Sequence, residues 1–166
     1  MKLDKIGGLA LLLFAAGALA QTDTDTDGKE VAVPPPPSFN KDKLIPIDMP
    51  PFVSLKFGVD PATLAISTEG ILRYVMVASN ASGSISAMYE GLRCATGEVK
   101  TYARYNSSGQ WSLVSSPTWQ RLNDNRPSQH ALALANQGVC EGSVLASSST
   151  AELINKLNRI TPIHAR

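Results

Sequence analysis

The chain has 166 residues, with 15 basic and 14 acidic side chains and a formal net charge of +1 at pH 7. A balance this close to neutral offers no electrostatic footprint for a nucleic-acid partner, so none is expected. There are only two cysteines and two histidines, and neither a cysteine-rich zinc spacing nor a phosphate-binding glycine loop occurs, so we expect no metal and no cofactor.

Residues 1–20 have the composition of an export signal. Lys2 and Lys5 precede an apolar run at residues 6–19, and small residues stand at Ala18 and Ala20. The run is marginal for crossing a bilayer core of about 30 Å, so we predict cleavage before Gln21 rather than a membrane anchor. The mature chain is then expected in the periplasm, with no membrane span left.

Residues 21–51 combine Thr-Asp repeats with runs of proline and carry six acidic residues against three lysines. A segment with so few apolar residues is predicted to be disordered, although residues 44–47 could dock as an extended lead-in. Its opening at residues 23–28 imitates a calcium-binding loop, but Pro34 stands where that loop needs a glutamate. A dedicated calcium site is therefore not expected.

From residue 52 onward the pattern is that of one folded domain, residues 52–166. Segments with strand-like composition lie at residues 52–59, 63–67, 71–79, 84–94, 98–105 and 110–114, separated by short turn sequences. Two helices are predicted after them, at residues 128–137 and 151–158. This order indicates an α+β fold: an antiparallel β-meander of about five strands with two C-terminal helices packed on one face.

The two cysteines, Cys94 and Cys140, are predicted to form a disulfide because exported proteins usually pair their cysteines. It would join the end of a strand to the residues just past the first helix. The alternatives are two free thiols or a pair of metal ligands, and the sequence offers no further metal ligands near these cysteines.

The stretch MYEGLRC, residues 88–94, brings a carboxylate, a guanidinium and a cysteine into one predicted strand. Strand alternation places Glu90 and Cys94 on one face and Tyr89 and Arg93 on the other. Glu90 therefore needs a partner on the face that carries the disulfide.

The hairpin register decides that partner. An even-numbered turn after Ser79 sets Arg73 opposite Glu90 and Tyr74 opposite Tyr89, and we predict this register with a structural Arg73–Glu90 ion pair. A three-residue turn would instead set Tyr74 opposite Glu90. A bulge at Gly91 would bring Arg93 to the face of Glu90.

The chain contains, in this order, GILRYV at residues 70–75, YEGLRC at 89–94, then Tyr102-Ala103, Trp111, Trp119 and Cys140. These blocks resemble the cryptic neisserial protein-like family, small exported proteins of Gram-negative bacteria with no established activity, and the resemblance covers roughly residues 45–140. It implies export and carries no catalytic or ligand residues.

Several aromatic residues of the predicted strands are interpreted first as the rim of the core under the helices, and a binding site on the sheet face is the more specific hypothesis. Aromatic and arginine side chains could form a shallow site for an anionic or planar ligand or a partner peptide. The candidates are Tyr74, Tyr89, Arg93, Tyr102, Arg104 and Trp111. Of the two interpretations, the core is favoured for these aromatics.

The chain is therefore interpreted as a non-enzymatic envelope protein that binds a ligand or an envelope partner. The alternative is a hydrolase or lyase that uses Glu90 with Arg73 or Arg93. His130 is interpreted as a helix-surface residue rather than a catalytic base.

Overall fold

The structure is a computed structural model that describes residues 30, 32–124 and 129–159. The predicted signal at residues 1–20 and the calcium-loop imitation at residues 23–28 lie outside the described residues.

The described chain contains ten strands and two α-helices. The strands are β1 (Ile45–Ile47), β2 (Lys56–Val59), β3 (Ala65–Ile66), β4 (Leu72–Ser79), β5 (Ile85–Arg93), β6 (Glu98–Tyr105), β7 (Trp111–Leu113), β8 (Gln120–Arg121), β9 (Cys140–Glu141) and β10 (Val144–Leu145). The helices are α1 (His130–Leu134), which continues into a π-helical turn at Ala135–Val139, and α2 (Thr150–Arg159).

Strands β1 to β8 form one antiparallel sheet in the order β1-β2-β4-β5-β6-β7, with β3 beside β4 and β8 beside β6. Strands β9 and β10 form a separate small hairpin. The predicted α+β class, the antiparallel meander and the two C-terminal helices are confirmed. The sheet has more strands than the five expected: β1 and β8 lie outside the predicted strand segments, and β3, within the predicted segment at residues 63–67, is a short strand beside β4.

Each face of the sheet has its own apolar core. On one face, the helix face, the side chains of Leu72, Met76 and Leu92 pack with Leu134 and Leu153 of the helices. The other face, the strap face, has a smaller core: Val75, Val77, Ala87, Tyr89, Tyr102 and Ala103. Sheets that are covered on both sides bury nearly every residue of their central strands, and seven of the eight residues of β4 are buried.

The strap face is covered by the chain's own N-terminal segment, which we call the strap: Glu30 and residues 32–44. Val33, Phe39 and Leu44 pack on the strap-face core, and β1 then pairs with β2. For Glu30 and residues 32–51 this packing differs from the disorder predicted for residues 21–51, while the predicted domain boundary at residue 52 stays a prediction. The few apolar side chains of the segment find cover on a sheet face, and that non-local packing offsets the ordering entropy. Residues 21–29 and 31 lie outside the described residues.

The predicted hairpin register is wrong. Tyr74 lies opposite Glu90 and Arg73 lies opposite Gly91, which is the register of the three-residue turn. The turn explains the shift, because Gly83 adopts φ of 81° and Asn80 Oδ1 accepts hydrogen bonds from the backbone N–H groups of Ser82 and Ser84. A type I turn followed by a left-handed glycine makes a three-residue loop, and this local geometry outweighs the cross-strand charge match.

The disulfide between Cys94 and Cys140 is confirmed, with a Cα–Cα distance of 5.7 Å. It fastens the residue after β5 to the residue after the π-helical turn. Helix α1 ends at Leu134, within the predicted helix at residues 128–137, because the chain continues there as the π-helical turn at Ala135–Val139. Gly138 adopts φ of 102° near the end of that turn, and Cys140 is already extended. Residue 128 lies outside the described residues.

Candidate functional site

The candidate site is centred on Gly91, in the middle of β5. Arg73 of β4 is its register partner on one side, and Lys100 of β6 is its partner on the other. Register partners on antiparallel strands point to the same face, so two cations flank a residue that has no side chain. The result is a gap between positive groups on the strap face.

Tyr102 occupies part of this gap. The pairing of β5 with β6 shifts between Tyr89 and Glu90, so that Tyr89 lies opposite Ala103 and Glu90 opposite Thr101. Tyr102 is therefore the extra residue of a bulge on β6, whereas the sequence hypothesis considered a bulge at Gly91. A Cβ atom at Gly91 would overlap the Tyr102 hydroxyl and lie 3.0 Å from Ile71 Cγ2, so glycine is required for the ring to lie over β5.

Arg73, Lys100 and Tyr102 together hold the carboxylate of Glu30, and we call these three residues the carboxylate cradle. Lys100 Nζ donates to Glu30 Oε2 at 2.8 Å, Arg73 donates to Oε1 at 3.3 Å, and the Tyr102 hydroxyl also donates to Oε1. Only 13% of the Glu30 side chain is exposed. Charge-assisted hydrogen bonds of this kind are stronger than neutral ones, and both carboxylate oxygens have partners.

The electrostatics follow from this geometry. Burial alone would raise the pKa of Glu30, but the hydrogen bonds from Lys100 and Tyr102 and the charge of Lys100 outweigh it, so the pKa lies below its ordinary value. Burial and the neighbouring Glu30 carboxylate raise the pKa of the Tyr102 phenol, which therefore stays protonated as a donor. The two cations and the phenol O–H of the cradle therefore favour a bound anion.

A third cation lies next to the cradle. Arg93 follows Gly91 by two residues on the same face, and its guanidinium stacks 4.0 Å from the ring centroid of Trp119. Lys100 Nζ lies 4.6 Å from the same ring, and Arg93 pairs with Glu98 at 3.8 Å. Trp119 thus joins the two cations, and its indole N–H is buried with no acceptor among the described residues.

On the helix face, Glu90 is almost fully buried, with a side-chain exposure of 1%. It contacts His130 Nε2 of α1 at 2.9 Å and accepts hydrogen bonds from the hydroxyls of Tyr74 and Thr101. Burial would raise the pKa of Glu90, but His130, through its charge and its hydrogen bond, and the two hydroxyls together hold the pKa below its ordinary value.

The predicted Arg73–Glu90 ion pair is therefore wrong. Because Arg73 lies opposite Gly91, its side chain points to the strap face and pairs with Glu30. Arg93 also lies on the strap face, so neither arginine shares a face with Glu90, and the pairing invoked for the hydrolase or lyase alternative is not assembled. His130 is 6% exposed and stacks on Phe57, so its interpretation as a surface residue is also wrong.

The predicted binding residues divide between the two faces. Tyr89, Arg93 and Tyr102 lie on the strap face, and Trp111 contacts Phe39 of the strap with a ring-centroid distance of 5.9 Å. Tyr74 is fully buried on the helix face. Arg104 is exposed and lies opposite Met88, which also belongs to the helix face.

Two members of the site escaped the sequence reasoning: Glu30 and Lys100. The available signal was electrostatic. Residues 21–51 carry a net charge of −3, whereas residues 52–166, with ten basic and seven acidic residues, carry +3. That opposition indicates an attraction between the two segments but does not identify the carboxylate that the domain binds.

The comparisons with known proteins give a family and no closer relative. No curated protein and no solved structure matches the chain. Within residues 30, 32–124 and 129–159, no helix is long and apolar enough to cross a membrane, and the same residues contain no cluster of three His, Cys, Asp or Glu side chains suited to a metal ion. A family model matches residues 23–158, which are most of the chain, including the strap, the cradle and both cysteines. The chain belongs to the CNP1-like family.

Proposed function

We propose that the protein is an exported, non-enzymatic envelope protein that binds a carboxylate-bearing ligand or partner on its strap face. The observation that carries this proposal is the set of contacts made by Glu30, whose two carboxylate oxygens meet an arginine, a lysine and a tyrosine. These contacts are what a binding site for an external carboxylate would supply.

The position of the cradle supports a binding role. Its groups stand on β4 and β6, on either side of β5, and these strands form the best-paired part of the sheet. Side chains on central strands are held in place by their neighbours, which favours precise recognition over adaptation. We therefore expect the backbone positions of the two cations to be kept when the Glu30 side chain is absent.

Chemical rescue tests the proposal. Glu30→Ala removes the side chain beyond Cβ, and acetate supplies the missing atoms. We expect sodium acetate to raise the melting temperature of Glu30→Ala more than the same concentration of sodium chloride does. In Glu30→Ala/Arg73→Gln the difference between the two salts should be lost, because the cradle is incomplete.

Two controls make the result specific. The exposed residue Glu141, which pairs with Lys156 at 2.6 Å, provides the matched variant Glu141→Ala, and acetate should exceed chloride there no more than in the wild type. If acetate and chloride act equally on Glu30→Ala, the cradle does not recognise carboxylates and the proposed function is rejected.

Export is part of the proposal. It is supported by the predicted signal sequence and by the disulfide, since disulfides form and persist in oxidising compartments. Fractionation of cells that express the full chain, followed by N-terminal sequencing, tests it. Recovery of a chain that begins at Gln21 in the periplasmic fraction is expected, and an uncleaved chain in the cytoplasm would contradict it.

A further inference from the structure

The strap contacts the sheet with a three-residue period. Its half-buried residues include Glu30, Val33, Pro36 and Phe39 at intervals of three. Ala32, Pro34, Pro35 and Ser38 are exposed, and Pro37 is half-buried as well. A polyproline II helix has three residues per turn, so every third side chain points to the same side. The strap therefore presents a carboxylate, an aliphatic side chain, a proline and an aromatic ring to the strap face.

The far end of the strap enters an aromatic cluster. The ring of Phe39 makes edge contacts with Tyr105 and Trp111, at centroid distances of 5.0 and 5.9 Å. Proline-rich peptides in this conformation are commonly bound by aromatic-lined grooves. An open cavity of about 710 Å³, bordered by Pro36, Phe39, Tyr105 and Trp111 among others, lies at this end and leaves room for a larger side chain.

Side chains alone hold the first part of the strap. Among the described residues, positions 32–39 form no backbone hydrogen bond to the sheet. The first backbone anchor is the N–H of Asn40, which donates to the Asp60 carboxylate, just after β2, at 2.7 Å. A segment without ladder hydrogen bonds can be exchanged at a lower cost than a β-strand. Glu30 is the polar group that fixes its outer end.

From these features we infer that the strap face is a receptor for an extended, proline-containing acidic peptide of a partner protein, and that the strap is its built-in competitor. The recognised pattern begins with an acidic residue. An aliphatic residue, a proline and an aromatic residue follow it at three, six and nine positions, as Val33, Pro36 and Phe39 follow Glu30. The acidic residue occupies the carboxylate cradle, and the aromatic ring occupies the Tyr105–Trp111 end. This inference rests on the proposed function, because it names the partner of the same site.

The competition has a thermodynamic consequence. A tethered segment acts at a high effective concentration, so an external peptide binds the wild-type chain only weakly. Glu30→Gln removes the anchoring charge of the tethered copy and leaves Arg73, Lys100 and Tyr102 available. Polyproline II segments lose little entropy on binding, so a free peptide with the correct pattern can replace the weakened strap.

The test uses a fluorescent peptide with the sequence of residues 28–40, GKEVAVPPPPSFN, titrated with the full mature chain. We expect it to bind the Glu30→Gln chain about tenfold tighter, or more, than the wild type. Peptides that carry Glu30→Gln or Phe39→Ala should bind the same chain about tenfold more weakly than the parent. A chain with both Glu30→Gln and Phe39→Ala has its strap loosened at both ends. It should bind the parent peptide at least as tightly as the Glu30→Gln chain does.

Equal peptide affinity for the wild-type and Glu30→Gln chains, or equal affinity of all three peptides, would overturn the inference. So would a Glu30→Gln chain that forms a dimer and does not bind the peptide, because the strap face would then accept the strap of a second copy. Acetate rescue of Glu30→Ala together with a failed peptide titration rejects this inference and leaves the proposed function standing. Failure of acetate rescue rejects the proposed function itself.

Discussion

Tyr102 lies across Gly91, and this contact is what allows the Tyr102 hydroxyl to reach Glu30. The glycine provides the space, and the bulge at Tyr102 directs the ring over β5. One missing side chain on β5 thus determines the shape of the carboxylate cradle. The single glycine of the MYEGLRC stretch thus belongs to the site on the strap face.

Gly91→Ala is therefore expected to destabilise the protein by about 1–3 kcal/mol, because the new methyl group overlaps the Tyr102 hydroxyl in a packed region. Urea unfolding measures the change. Tyr102→Phe removes the overlapping oxygen, so the double variant should be more stable than the sum of the two single changes predicts. Strict additivity would show that the two residues do not contact each other.

Glu90→Gln is expected to cost about 3–5 kcal/mol, because it removes one partner of a buried pair and disturbs the hydrogen bonds of His130, Tyr74 and Thr101. Glu141→Gln, an exposed member of an ion pair, is the matched control and should cost less than about 1 kcal/mol. Denaturant unfolding of both variants checks the prediction. Equal, small effects would mean that the Glu90 network contributes little to the attachment of α1.

The Glu30 interaction makes stability depend on pH. The pKa of Glu30 is lowered in the folded protein from an ordinary value of 4.5. A lowered carboxyl pKa contributes stability that is fully present above the unfolded pKa and is lost as the pH falls through the folded pKa. The free-energy difference between wild type and Glu30→Gln should therefore be constant from about pH 6 to 7 and shrink below about pH 4.5.

Urea unfolding of the two proteins between about pH 3 and pH 7 measures this difference. Glu90 adds a dependence of the same sign, but that dependence is common to both proteins and cancels in the subtraction. A difference that does not change with pH would contradict the assignment of Glu30 to the cradle.

Removal of the disulfide should lower stability by about 4 kcal/mol, as the chain-entropy model gives for a loop closed over a separation of 46 residues. The double variant Cys94→Ser/Cys140→Ser avoids a free thiol. Thermal and urea unfolding measure the loss. Because the bond fastens the π-helical turn to the end of β5, amide hydrogen exchange should increase most in the α1 region, and a uniform increase along the chain would contradict this local role.

Sequence patterns predicted the faces of the central strands. Strand alternation separated Glu90 and Cys94 from Tyr89 and Arg93, and the two cores show that separation. The predicted register is wrong because the left-handed glycine of the turn outweighs a favourable cross-strand charge match. In a hairpin, the turn geometry sets the register, and a shift by one residue exchanges every cross-strand partner.

The cradle could not be predicted from local patterns. Glu30 lies 43 residues from Arg73 and 70 from Lys100 along the chain, so no periodicity links them. Its segment also has the low apolar content of a disordered tail, although three-residue spacing supplies enough apolar contacts for it to pack. Only the tertiary structure shows which carboxylate the cations bind.

The most direct measurement of the central claim is the pKa of the Glu30 carboxyl group, determined by NMR from its side-chain carbon shift as the pH is lowered. We expect a value below 4.5 in the wild type and a higher value in Arg73→Gln, in which the cradle has lost one cation. A Glu30 pKa at or above 4.5 that Arg73→Gln leaves unchanged would show that the cradle does not bind this carboxylate.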